Sequence, residues 1–203
     1  MPDVAPVEGS ELPTDRFVEG PDEPTQVVYE LSTPDGTEQL TVAWEGDRFV
    51  LIRSDGQILR LANGTVVFCS ASPEGDICWD FEDRGPPFLR GIAADLLAVY
   101  GLVDLIPASA RELDDQTIAG RDATCVAFSP PGAATPASPS SSGTTFCYDR
   151  ETEVGLRLDV SAGDTTQTLV ATSVGAPDDG IFNPPAQVLP YPEDGAPPEF
   201  PTP

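Results

Sequence analysis

Three tight-turn signals follow one another early in the chain: Gly46-Asp47, Asp55-Gly56 and Asn63-Gly64. Asp-Gly and Asn-Gly are strong hairpin signals, because these residues accept the positive φ that a two-residue turn demands. Between and around the turns lie short strand-like runs: QVVYELS (26–32), EQLTVAW (38–44), RFVLIRS (48–54), QILRLA (57–62) and TVVFCS (65–70). Thr33-Pro34-Asp35-Gly36 joins the first two. Turns this frequent make neighbours in sequence into neighbours in space, which is an antiparallel meander. EQLTVAW alternates cleanly, with Leu40, Val42 and Trp44 on one side and Gln39, Thr41 and Ala43 on the other.

The four cysteines, Cys69, Cys78, Cys125 and Cys147, allow three connectivities. Strand register chooses among them. If GTVVFCS and DICWDF form a hairpin around Pro73-Glu74, Cys69 faces Cys78, Phe68 faces Trp79 and Val66 faces Phe81. If ATCVAFS and TTFCYDR pair around Pro136, Cys125 faces Cys147, Val126 faces Phe146 and Thr124 faces Tyr148. Both hairpins gather apolar and aromatic side chains on one face and turn the cysteines to the other. Two disulfides follow, Cys69–Cys78 and Cys125–Cys147, and such bonds persist outside a reducing cytosol. No CxxC spacing suggests a metal.

Between the two hairpins runs PPFLRGIAADLLAVYG, Pro86 to Gly101. Its apolar residues recur at helical spacing, Pro86-Pro87 suits a first turn and Gly101 an end. Only Arg90 and Asp95 are charged, so a helix here is apolar over most of its circumference and is expected to be buried on more than one side. A curled sheet covers such a helix better than a flat one. The expected fold is therefore α+β: a curved antiparallel half-barrel of about 9–11 strands around one main apolar helix, with two disulfides.

After the helix come RELDDQTIAG and the second disulfide hairpin, whose tip, SPPGAATPASPSSSG (129–143), reads as a disordered loop. VGLRLDV (154–160) and TTQTLVATSV (165–174) complete the sheet, with Leu156 and Leu158 pointing inward, and IFNPPAQVLP (181–190) closes the fold. Three divisions are expected: an acidic, Pro-rich linker at 1–24, a domain at 25–188, and a Pro-rich tail at 189–203. Met1-Pro2-Asp3 begins neither a basic nor an apolar signal region, and no apolar run is long enough to span a membrane. A linker of this type often joins a lipid-anchored Cys to its domain, an anchor that would lie outside this sequence.

The net charge of −24 has few cations against it: His is absent and all ten basic residues are Arg. Such a surface repels nucleic acid and anionic membranes, so neutral or cationic partners and a monomer are expected. Without His there is no imidazole base or Ser–His pair, and without Lys no Schiff base or Walker-type phosphate loop. Adjacent carboxylates such as Asp114-Asp115 and Asp178-Asp179 sit near turns and read as solvated. A non-enzyme without cofactor or metal is expected.

The meander, the single apolar segment and the series TIAGRDATCVAF, FCYDRETEVGLRLDV and VGAPDDGIFNPPA resemble the LolA/LolB-like superfamily over roughly residues 25–188. Uncharacterised actinobacterial members with paired cysteines are the nearest in pattern. The superfamily includes periplasmic lipoprotein carriers, mycobacterial lipid-carrying lipoproteins and a periplasmic stress-sensing regulator. The resemblance implies an incomplete barrel enclosing an apolar cavity, and an extracytoplasmic protein that is secreted, periplasmic or anchored at the cell surface.

Side-chain parity supplies the candidate cavity wall: Trp44, Val66, Phe68, Trp79, Phe81, Val126, Phe146, Leu156 and Leu158 from the sheet, against Ile92, Leu96 and Tyr100. The expected function is extracytoplasmic binding of a lipid, lipoprotein or other apolar ligand, as carrier or sensor. The alternative is a cell-surface interaction or regulatory protein with a filled core and no ligand.

Overall fold

The computed structural model describes residues 21–71, 75–80, 109–129, 143–162 and 165–191. These residues form one curved open sheet of thirteen strands. The first six strands are β1 (Thr25–Thr33), β2 (Gly36–Glu45), β3 (Arg48–Arg53), β4 (Gly56–Arg60), β5 (Val66–Ser70) and β6 (Ile77–Asp80). The rest are β7 (Ser109–Glu112), β8 (Gln116–Ile118), β9 (Arg121–Ser129), β10 (Gly143–Asp149), β11 (Gly155–Ala162), β12 (Thr165–Gly175) and β13 (Val188–Pro190).

The strand order is β13-β6-β5-β4-β3-β2-β1-β12-β11-β10-β9-β7, with β8 paired to β9 beside it. Two antiparallel meanders, β1–β6 and β9–β12, are thus joined edge to edge where β1 pairs with β12. A bulge at Val28/Tyr29 in that seam, and another at Cys147/Tyr148 against β11, bend the strands and deepen the local twist. Gln26 ties the seam to the turn beyond it: its Nε2 donates to Asp178 Oδ2 at 2.9 Å, and its Oε1 accepts from the Asp178 N–H at 2.8 Å.

For the described residues the expected α+β class is corrected to an all-sheet structure. Among the described residues there are thirteen strands, against an expected 9–11, and no helix. Periodicity in Pro86–Gly101 showed which side chains could line up on a helix; it carried no information on packing against a sheet. That segment lies outside the described residues. So do most of the linker at 1–24, most of the loop at 129–143 and most of the tail at 189–203.

Every early turn falls where its residues placed it. Gly46 and Gly64 have positive φ, and Asn63 Oδ1 accepts from the Thr65 N–H at 3.1 Å. Gly56 is under the tightest constraint. Its φ is +156°, and a Cβ there would lie 2.2 Å from the Cys69 carbonyl oxygen of the neighbouring strand. Backbone cannot move aside as a flexible side chain does. Gly56→Ala is therefore expected to lower stability by about 2–3 kcal/mol, read as a fall in the denaturation midpoint; an unchanged midpoint would refute the assigned contact.

The C-terminal stretch does more than end the sheet. β13 pairs with β6 in parallel, Leu189 opposite Trp79, and Phe182 is buried against Ala43, Val50, Leu59, Val67, Cys69 and Cys78. Ile181, Ala186 and Val188 pack beside it, and the Arg48 guanidinium lies over the Phe182 ring at 4.6 Å. Among the described residues no helix is long and apolar enough to cross a membrane.

Candidate functional site: an apolar face across ten strands

Side chains directly opposite on neighbouring strands share a face. Following them from β9 gives one continuous apolar row: Val126–Phe146–Leu158–Leu169–Leu31. At the seam the row steps along β1 to Tyr29 and Val27. Val27 then continues it as Val42–Leu51–Ile58–Phe68–Trp79. The face therefore crosses ten adjacent strands, from β9 to β6. Trp44 and Phe49 form a second row beside it, their rings 6.0 Å apart and tilted. Phe68 stacks on Trp79 at 6.3 Å, and Phe146 on Tyr148 at 5.9 Å.

This face holds most of the residues that parity selected. Trp44, Phe68, Trp79, Phe146, Leu156 and Leu158 are buried, and Val126 is partly buried against them. Leu156 lies where β11 bulges against Cys147/Tyr148. Val66 is half-buried opposite Arg60, at the margin of the face. Phe81, Ile92, Leu96 and Tyr100 lie outside the described residues. Parity did not select Tyr29, although it belongs to the same face: its hydroxyl donates to the Gly155 carbonyl at 2.7 Å, linking β1 to β11 across β12. Its place in QVVYELS, two residues from Val27, was the available signal.

Both disulfides form as register required, with Cys69 opposite Cys78 and Cys125 opposite Cys147. They do point away from Phe68, Trp79 and Phe146, but not into water. All four cysteines are buried, the first pair beneath the Phe182 segment and the second among Ile118, Ala123 and Val154. The sheet is thus apolar on both faces over β2–β6. FVLI and VVF announced this, since neither run alternates.

A polar cleft of about 530 Å³ opens at the end of the sheet where β1 begins, β12 ends and β10 turns into β11. Its wall includes Asp22, Glu23, Thr25, Arg121, Glu151 and Glu153. Arg121 lies 3.5 Å from Glu151 and 3.8 Å from the buried Asp149. Asp149 organises the β10–β11 turn by accepting from the Glu151 N–H and the Thr152 hydroxyl, each at 3.0 Å. Among the described residues no cluster of side chains could hold a metal ion.

No family model and no curated protein sequence matches the chain. Solved structures do. MucB in the MucA/MucB complex of Pseudomonas aeruginosa aligns with a TM-score of 0.51 and 15% identity, over 84% of this chain and 60% of that one. MucB alone aligns at 0.51 and 16%, over 87% and 64%. A LolA superfamily protein from Nitrosomonas europaea aligns at 0.32 and 10%, over 85% and 96%. The fold resembles that of MucB. The chain spans less than two thirds of the MucB chains it matches, and at these identities the likeness concerns the fold alone.

Proposed function

We propose that this protein is an extracytoplasmic, non-catalytic binding protein whose apolar sheet face takes the hydrocarbon part of a lipid or a lipid-modified protein, as carrier or sensor. The observation that carries the reading is the unbroken apolar row across ten strands of an open sheet. Binding sites for apolar ligands are walled in this way, with few polar groups. Two formed disulfides support an oxidising compartment. The absence of His and Lys from the sequence supports binding without catalysis. Residues assigned to the wall are Trp44, Phe68, Trp79, Val126, Phe146, Leu156 and Leu158, with Val66 at its margin.

The test is binding by the oxidised protein. Native mass spectrometry after detergent-free purification is expected to show lipid adducts. N-phenylnaphthylamine, a neutral apolar dye, is expected to be taken up saturably at about one probe per chain. Neither adducts nor uptake would sink the proposal. That result would favour a second reading, regulation by docking a segment of another protein, which is supported by MucB having been solved with MucA.

A further inference from the structure

The two disulfides are covered in different ways. Cys125 and Cys147 lie in a cluster built by the sheet and its turns, which takes no residue from beyond β12. Cys69 and Cys78, 1% and 0% exposed, are covered by a distant part of the chain. That cover is a strap, residues 176–187, which leaves β12 and ends in β13. β1 to β6 lie between those two strands.

The strap is held at few points. At its root, Gln26 and Asp178 exchange two hydrogen bonds. In its middle, Phe182 is 6% exposed and plugs the cluster of Ala43, Val50, Leu59, Val67 and both cysteines, beneath the Arg48 guanidinium. At its end, β13 adds three residues to β6, with Val188 opposite Cys78. Between plug and strand, Pro184 and Pro185 have no N–H to give to a ladder. A cavity of about 150 Å³ is lined by Pro185 and by Ile52, Gly56, Gln57, Cys69 and Asp76 of the sheet side. That is room for a group the size of benzene, so the strap is not packed down beside Cys69. An element tethered this sparsely opens more readily than the sheet beneath it.

We propose that the strap is a latch: its release, with the sheet still folded, admits a dithiol reductant to Cys69–Cys78 and not to Cys125–Cys147, which makes the first bond a redox-sensitive site. The step is thiol–disulfide exchange. A thiolate of the dithiol attacks one bridge sulfur, the Cys69–Cys78 bond breaks, and the other cysteine leaves as a thiolate. The dithiol's second thiolate then displaces the first cysteine and closes its own disulfide. Each displaced cysteine takes up a proton that an attacking thiol lost, and two electrons pass to the protein. The consequence falls on β6, whose pairing with β5 covers only Ile77–Asp80.

The test is reduction by dithiothreitol in native buffer, with the freed thiols trapped and mapped. Phe182→Ala is expected to speed opening of Cys69–Cys78 about a hundredfold, as emptying a buried aromatic site does, and to leave Cys125–Cys147 unchanged. Arg48→Gln keeps the plug and removes the cation over it; about a threefold acceleration of the same bond is expected. Equal acceleration of both bonds in Phe182→Ala would mean that the whole sheet opens, and acceleration of neither would mean that the strap guards nothing; each overturns the proposal. Should Phe182→Ala fail to fold, the parent chain decides in urea below its unfolding transition. There the Cys69–Cys78 rate is expected to depend less steeply on urea than the Cys125–Cys147 rate, because lifting a strap exposes less surface than unfolding a sheet. The same steep dependence for both bonds overturns the latch.

Discussion

Tyr29→Ala is expected to cost about 4 kcal/mol, within the range for emptying a buried aromatic site, and Tyr29→Phe about 1–2 kcal/mol. The residue sits in β1, the strand on which the two meanders meet. It is 2% exposed, between Leu40 of β2 and Ala171 of β12. Its hydroxyl reaches past β12 to the Gly155 carbonyl at the start of β11. Truncation therefore opens a cavity at the seam where β1 and β12 join the two meanders. Phe keeps the ring and leaves a buried carbonyl with one bond fewer. Urea unfolding of the oxidised variants, followed by tryptophan fluorescence, separates the two contributions. A Phe variant as stable as the parent would show that the hydroxyl contributes nothing net, and an Ala variant losing under 1 kcal/mol, far below the usual range, would remove Tyr29 from the core.

Removing the disulfides gives the second large effect. The bridged residues are 9 apart for Cys69–Cys78 and 22 apart for Cys125–Cys147. Loop-closure entropy then assigns the bonds roughly 2.7 and 3.4 kcal/mol of stabilisation, so Cys125→Ala with Cys147→Ala should be the more damaging pair. Alanine is the right replacement because all four sites are buried and a serine hydroxyl would need a partner there. Denaturant midpoints of the two double variants provide the check. If the order is reversed, packing beneath Phe182 outweighs chain entropy at the first bridge. Burial also predicts that reductant opens neither bond at an appreciable rate while the protein is folded, which thiol trapping under native conditions reads directly.

The hairpins show how far local information reaches. Asp55-Gly56 and Asn63-Gly64 dictate tight reversals whatever surrounds them, because their backbone preferences are their own. Once a reversal is placed, register follows, and with it both the Cys69–Cys78 and the Cys125–Cys147 pairing and the shared face of Phe68 with Trp79. The candidate site was legible to the same extent: Trp44, Phe146 and Leu158 lie on one face because a strand alternates. Tyr29 and Trp44 carry the less legible part. That one reaches across a strand to Gly155, and the other buries a donor without an acceptor. Both facts depend on what lies opposite in space.

By itself, then, the amino-acid order determined the turns, the strands they separate, the two covalent cross-links and the side-chain parity. All of these are set by dihedral preference and a two-residue repeat acting over a few positions. Tertiary structure alone decided that β1 pairs with β12, that the thirteen described strands join in one sheet, and that Phe182 and its neighbours cover the first disulfide. Those contacts join residues far apart in the chain, and they are chosen by how much apolar surface each alternative removes from water. No short window of sequence records that comparison.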